Sequence, residues 1–135
     1  MIKLIFMLKR KAGLSTEQFR QHYESSHVEL AHKYIGHLLT NYRRFYPTFT
    51  TRNPSNQPAG TAPPAFDIGY DAITEMEVAD EAALMEMQRI FNDPVINPIL
   101  AEDELKFLDR EATVMMVCDH VDDAARLKAG RSVDA

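Results

Sequence analysis

The sequence has very little cysteine, and it has no long hydrophobic run. Cys118 is the single cysteine among 135 residues, so no disulfide forms within the chain, as is usual in the reducing cytosol. No segment approaches the roughly eighteen consecutive apolar residues that a membrane span needs. These two absences predict a cytoplasmic protein that makes no use of a membrane.

The first thirteen residues resemble a secretory signal peptide only superficially. In MIKLIFMLKRKAG the basic cluster follows the apolar run instead of preceding it, and the run is short. We therefore expect residues 2–8 to form a buried first strand.

Positive charge is also scarce. The chain has 15 Lys and Arg against 20 Asp and Glu, a net charge of −5, which argues against nucleic acid as a main partner. Its composition, 45% hydrophobic and 26% charged, is that of an ordinary soluble globular protein. The length predicts one domain.

Hydrophobic periodicity and capping residues predict four strands and two principal helices. Ser15 and Gln18 form a capping-box pattern at the start of the first helix, which should end near Gly36. Asp80 is placed to cap the second helix, and the residues NDP (92–94) end it. The predicted elements are strand 2–8, helix 16–36, strand 40–50, strand 68–78, a helix from residue 81, a helical turn in DELKFL (103–108) and strand 112–118.

This order, β-α-β-β-α-β, predicts a ferredoxin-like α+β fold with both helices on one face of a four-stranded antiparallel sheet. Residues 1–121 would form the domain, and residues 122–135 a polar, frayed tail. The strands are apolar on both sides, so the second face of the sheet also needs a cover. A second copy of the chain is the simplest cover, and we expect a homodimer that closes two sheets into a barrel.

A long loop interrupts the predicted domain. Residues 51–66 are rich in proline and contain almost no core-forming side chains. Loops of this length in small domains often act as lids or are disordered. We expect this loop to be mobile or to pack over the pocket of a neighbouring subunit.

Three histidines lie in FRQHYESSHVELAHKY (19–34). His22, His27 and His32 are five residues apart, whereas metal-binding pairs on a helix are three or four apart, so the spacing argues against a metal site. With a turn of about 100° per residue, His27 falls on the stripe expected to face the sheet, His22 at its margin and His32 toward water. The other members of this stripe are Phe19, Tyr23, Leu30 and Tyr34.

Two interpretations of His27 remain open. It is either a core histidine satisfied by a carbonyl or a tyrosine hydroxyl, or a polar group that faces a pocket. Tyr42, Arg44 and Tyr46 alternate along the second predicted strand, so one face of that strand is unusually polar for a core. Polar groups that face each other within an apolar wall favour a pocket for a small molecule.

Several motifs carry a family resemblance. The segments MIKLIFMLKRKAGLSTEQFRQHYESSHVELA (1–31) and NYRRFY (41–46) resemble EthD-domain proteins of the dimeric α+β barrel superfamily. The stretch FDIGYDAITEMEV (66–78) is similar to the methylmuconolactone methylisomerases, which are EthD-like enzymes of aromatic degradation. The resemblance extends to about residue 118.

The resemblance implies a cofactor-free pocket between helices and sheet in each subunit, with no metal. It places a catalytic histidine at His27 and a tyrosine at Tyr42. The cysteine of the methylisomerases falls on Met76, and a thioether cannot act as a nucleophile or carry a proton. We therefore expect another substrate, an aromatic-degradation or polyketide-like carbonyl compound that undergoes isomerisation, cyclisation, dehydration or decarboxylation.

In this reaction His27 would be the general base and acid, and Tyr42 would stabilise the enolate oxygen. Asp71 is open to two interpretations, an exposed strand carboxylate or a group that orients a histidine. Two other functions stay open: a cofactor-free monooxygenase on the same scaffold, and a non-catalytic accessory protein that binds a small molecule. The expected substrate-binding residues are Phe19, Tyr23, Arg44, Tyr46, Asp71 and Met76.

Overall fold

Four strands form one antiparallel sheet in the computed structural model, which describes residues 1–130. The strands are β1 (Ile2–Leu8), β2 (Leu39–Phe45), β3 (Ala72–Val78) and β4 (Val114–Cys118). Their order across the sheet is β2-β3-β1-β4, and every neighbouring pair is antiparallel. The predicted ferredoxin-like α+β fold is confirmed.

The alternation of side chains along β3 determines which face of the sheet is covered. Its buried side chains, spaced two apart, are Ala72, Thr74, Met76 and Val78. Because successive strand residues point to opposite faces, Glu75 and Glu77 lie on the other face. There both carboxylates pair with the Lys3 ammonium, at 3.1 and 3.2 Å.

The first helical segment contains a π turn. It consists of α1 (Thr16–His22), the π turn (Tyr23–His27) and α2 (Val28–Ile35). The predicted capping box is present, since Ser15 and Gln18 each accept a hydrogen bond from the other's backbone N–H. Within the π turn the Val28 N–H donates to the Tyr23 carbonyl, five residues back.

Because of this π turn, the side chains that are buried beyond it differ from the predicted stripe. An extra residue in one turn rotates everything after it relative to a regular α-helix. The buried side chains beyond the turn are therefore Val28, Ala31 and Ile35, whereas Leu30 and Tyr34 are only partly buried. Phe19 and Tyr23 precede the shift and are buried as expected.

The second helical region is longer than predicted. After α3 (Glu81–Phe91), which Asp80 caps through its carboxylate, a full helix α4 (Ile96–Phe107) follows where we expected only a turn in 103–108. Pro98 lies in the first turn of α4, where proline is tolerated because the N–H groups there have no partner within the helix.

Strand boundaries differ from the expected ones near proline and glycine. The strand predicted over 40–50 ends at Phe45, before Pro47, which cannot donate to the ladder. The strand predicted from residue 68 begins at Ala72, after Gly69, whose φ of 81° is incompatible with a strand.

The loop 51–66 has some local order, with a 3-10 turn at Pro54–Asn56 and a bridge between Thr51 and Ala65. It does not contact the cavity described below, whose lining residues lie outside it. The expected frayed tail contains a helix, α5 (Ala124–Gly130), and its residues 131–135 lie outside the described part of the chain. Among residues 1–130, none of the helices has both the length and the apolarity needed to cross a bilayer.

The core consists of two clusters on the helical face of the sheet. One contains Leu4 and Met76, and the other contains Phe19 and Phe107. Phe6 and Tyr42 pack against both clusters, so they lie where the two meet.

Phe107 joins α4 to the first helix. Its ring is fully buried and lies 4.9–5.6 Å, centroid to centroid, from four other rings. These rings belong to Phe19, His22, Tyr23 and His27.

We predict that Phe107→Ala lowers the free energy of unfolding by about 3–5 kcal/mol, because it removes a buried ring and leaves a cavity. Leu105→Ala is the control, since Leu105 is 56% exposed on the same helix and should change stability by about 0.5 kcal/mol or less. Urea denaturation measures both. Equal losses in the two variants would show that Phe107 is not a core residue.

Candidate active site

A cavity of about 290 Å³ lies between the helices and the covered face of the sheet. Its wall is mostly apolar, with residues from β1, β3 and β4 on one side and from α2, α3 and α4 on the other. Tyr23 and His27 of the π turn and Tyr42 of β2 open onto it. An apolar cavity with a few convergent polar groups is the usual form of a small-molecule site.

His27 is held by a buried carboxylate. Its Nδ1 lies 2.9 Å from Oδ2 of Asp103, a residue of α4 that is only 5% exposed. The other oxygen, Oδ1, accepts a hydrogen bond from Ser26 Oγ at 2.7 Å and lies 3.0 Å from His22 Nε2. One carboxylate therefore joins three side chains of the first helix to α4.

The ionisation of Asp103 follows from these contacts. Burial by itself would raise the pKa of the carboxyl, but the hydrogen bonds from Ser26, His27 and His22 together hold that pKa below its usual range. An ionised carboxylate only accepts hydrogen bonds, so His27 donates from Nδ1. In the neutral imidazole, Nε2 then carries the lone pair.

Tyr42 is a hydroxyl donor in an apolar setting. Burial, followed by the neighbouring Tyr23 hydroxyl, raises the pKa of Tyr42 well above its usual value. The guanidinium of Arg44 lies 4.6 Å from the centre of the Tyr42 ring. Tyr42 therefore stays protonated throughout the working range of pH.

Arg44 is engaged by Glu24 of the π turn. Two hydrogen bonds, of 2.9 and 2.7 Å, join its guanidinium to both carboxylate oxygens, and the Tyr46 hydroxyl donates to the same carboxylate. The Arg44 hydrogen bonds lower the pKa of Glu24. Arg44 therefore packs against the Tyr42 ring, and the Glu24 carboxylate already balances its positive charge.

The structure brings together four of the eight residues that the sequence suggested for the site. His27, Tyr42, Tyr23 and Met76 all line the cavity. The Tyr23 hydroxyl is hydrogen-bonded to Thr74, another lining residue.

The other four residues lie elsewhere. Phe19 is a fully buried core residue, and Arg44 and Tyr46 bind Glu24 beside the cavity without lining it. Asp71 accepts hydrogen bonds from the backbone N–H of Arg10 and from its Nε, at 2.9 and 3.1 Å. The interpretation of Asp71 as a group that orients a histidine is therefore wrong, because Asp103 occupies that position.

Asp103 and Glu104, which also lines the cavity, were not recognised from the sequence. The available clue is the spacing of Asp103 and Phe107, four residues apart, which places both on one face of a helix. This clue requires α4 to be recognised as a full helix.

Within residues 1–130, no group of three or more His, Cys, Asp and Glu side chains is arranged to hold a metal ion. The arrangement provides instead a histidine with one ring nitrogen hydrogen-bonded to a buried carboxylate and a neutral phenol, both in one apolar cavity. Such a pair can take a proton from carbon and donate a hydrogen bond to an oxygen.

Comparison with known proteins identifies the family. The sequence model of the EthD domain matches residues 11–111, whereas no curated protein matches the chain.

Among solved structures, an EthD-like protein from Ralstonia eutropha is similar with a TM-score of 0.59 at 15% identity, covering 93% of this chain and 96% of its own. A hydroxynitrile lyase from Passiflora edulis has a TM-score of 0.52 at 11% identity, with 90% and 95% covered. A dimeric ferredoxin-like protein from Bacteroides fragilis has a TM-score of 0.50 at 10% identity, with 88% and 95% covered. At these identities the likeness concerns the fold.

We predict that Asp103→Asn lowers the free energy of unfolding by about 2 kcal/mol at pH 7, because an amide cannot accept all the hydrogen bonds directed at it. The folded pKa of this carboxyl is lowered, so its stabilising contribution is complete above the unfolded pKa of about 3.9 and is lost as pH falls through the folded pKa. The difference between wild type and variant should accordingly persist at pH 5 and shrink in stronger acid.

Denaturation curves at several pH values measure this difference. Glu102→Gln is the matched control, because Glu102 is exposed on the same helix and should give no comparable loss. A difference that stays constant down to about pH 2 would contradict the assignment of the effect to this carboxyl group.

Proposed function

This chain belongs to the EthD domain family, and on that premise we propose that it is an enzyme that moves a proton on a small carbonyl compound without a cofactor. One observation carries the proposal. His27 from the π turn and Tyr42 from β2, which belong to separate elements of the fold, open onto the same apolar cavity.

His27 acts as the general base and then as the general acid. Asp103 holds its Nδ1 at 2.9 Å, which leaves Nε2 to take a proton from the carbon next to the carbonyl group. The carboxylate also stabilises the imidazolium that forms. General acid–base catalysis by a positioned histidine contributes about 10²–10⁴ in rate.

Tyr42 stabilises the oxygen on which negative charge develops. Its raised pKa keeps the hydroxyl protonated, and the apolar cavity strengthens a hydrogen bond to an enolate. Tyr23, hydrogen-bonded to Thr74, fixes the wall beside it. Proton removal and oxyanion stabilisation are thus divided between two elements.

The reaction class is isomerisation, cyclisation, dehydration or decarboxylation, all of which pass through a carbanion or enolate. The fold is compatible with lyase chemistry, since the Passiflora edulis hydroxynitrile lyase shares it. Met76, a cavity residue without an ionisable group, contributes shape rather than chemistry.

We predict that His27→Asn lowers the rate of turnover by about 10²–10⁴ and that Tyr42→Phe lowers it by about 10²–10³. Because both groups act on one transition state, the double variant should lose less than the product of the two factors. Turnover is measured by incubating the enzyme with a panel of enolisable aromatic ketones and separating substrate from products by liquid chromatography, because an isomer has the same mass as its substrate.

Matched controls are His37→Asn and Tyr70→Phe, since neither residue lines the cavity. Their rates should equal that of the wild type. Full activity in His27→Asn would rule out the proposed base, and oxygen uptake in step with turnover would instead identify a monooxygenase.

We further propose that the protein is a homodimer formed through the open face of the sheet. Exposed apolar side chains on this face include Phe45, Val114 and Met116, each at least 40% exposed. Met116 lies opposite Ile5 in the sheet register. A second copy would remove this apolar surface from water.

Sedimentation equilibrium should therefore give twice the chain mass of 15.4 kDa. Met116→Lys should shift the equilibrium toward monomer, because it places a charge in the apolar contact. Met85→Lys is the control, since Met85 is 68% exposed on α3, at the helical side. A monomer at micromolar concentration would refute the homodimer.

A further inference from the structure

The cavity has acidic character. Among the described residues that line it there is neither Lys nor Arg, whereas Glu104 contributes a carboxylate. Beside it, the guanidinium of Arg44 is already paired with both oxygens of Glu24. An anionic ligand would therefore find no unbalanced positive charge in this wall.

Glu104 faces the reacting end of the cavity. Its Oε2 lies 3.8 Å from His27 Nε2, too far for a hydrogen bond but close enough for both groups to contact one ligand atom between them. Its other oxygen accepts a hydrogen bond from Arg110 Nε at 3.2 Å. The Arg110 side chain is 47% exposed, so water screens its charge.

Protonation of His27 does not reverse this balance. An imidazolium would be compensated by the Asp103 carboxylate 2.9 Å away. Glu104, whose partner Arg110 is 47% exposed to water, would then remain as the carboxylate that a ligand meets next to His27.

The same residue also borders the protein surface. Glu104, Leu108 and Thr113 line both the cavity and a shallow surface depression. That depression also contains Glu111 and Arg110, the ion-pair partner of Glu104. A ligand that enters here passes two glutamates and one arginine.

We propose that the substrate is an uncharged carbonyl compound of about one ring, and that Glu104 determines this specificity by repelling carboxylates, which removes decarboxylation from the candidate reactions. The size follows from the cavity volume of about 290 Å³, which corresponds to roughly ten water volumes. The inference rests on the proposed function, because it assigns the substrate class of the same cavity.

The test compares two probes, acetophenone and benzoate, which have the same ring and the same number of non-hydrogen atoms. One ends in a neutral carbonyl group and the other in a carboxylate. Dissociation constants for both are measured by NMR titration with the full-length protein at pH 7.5. The proteins are the wild type, Glu104→Gln and the control Glu102→Gln, which removes the same charge from an exposed position of α4.

We expect the wild type to bind acetophenone at least about tenfold more tightly than benzoate, as repulsion between two charges a few ångströms apart requires. In Glu104→Gln this ratio should fall by about fivefold or more, chiefly because benzoate binds better. Glu102→Gln should keep the wild-type ratio.

Three results would overturn the proposal. The first is that the wild type binds benzoate as tightly as acetophenone. The second is a ratio of acetophenone to benzoate affinity that Glu104→Gln leaves unchanged or that Glu102→Gln lowers equally. The third is that neither probe binds. The measurement involves no turnover. A failed charge preference is thus distinct from failure of the proposed function, which would appear as full activity in His27→Asn.

Discussion

The arrangement of this protein depends on the buried carboxylate of Asp103. It joins α4 to the first helix by contacts with His22, Ser26 and His27. Four residues later on the same helix, Phe107 packs against four rings of that segment. Because a buried charge is tolerated only when it is fully hydrogen-bonded, these contacts constrain both the position of α4 and the proton of His27. The stability of this part of the fold and the chemistry of the cavity therefore rest on one interaction.

The π turn allows one helix to serve packing and chemistry at the same position. A regular α-helix from Thr16 to Ile35 would have continued its buried stripe through His27 and Leu30. The extra residue moves Val28 into the core instead, and it leaves Ser26 and His27 at the junction with α4. π turns are rare and costly, and they occur often at functional sites. The cavity beside this turn agrees with that association.

The fold was predictable because its signals are local. The capping box at Ser15, the alternation in β3 and the Asp80 cap each identify an element within a few residues. Features that depend on distant residues could not be inferred in this way. The π turn leaves no trace in a 100° periodicity, and Pro94 and Pro98 obscured α4. Asp103 was therefore missed, and Asp71 was considered as one possible group that orients a histidine. The family resemblance and the polar face of β2 identified His27 and Tyr42 from the sequence. The carboxylate that binds His27 could be identified only from the packing of α4 in the structure.

The central claim is that Asp103 holds His27 with its proton on Nδ1 and its lone pair on Nε2. The ¹⁵N chemical shifts of the His27 ring, recorded in the neutral form of the imidazole, test it most directly, because they distinguish the two tautomers. We expect a protonated Nδ1 and an unprotonated Nε2 in the wild type, and a mixture of both tautomers in Asp103→Asn. A wild-type His27 that carries its proton on Nε2, or a tautomer ratio that Asp103→Asn leaves unchanged, would contradict it.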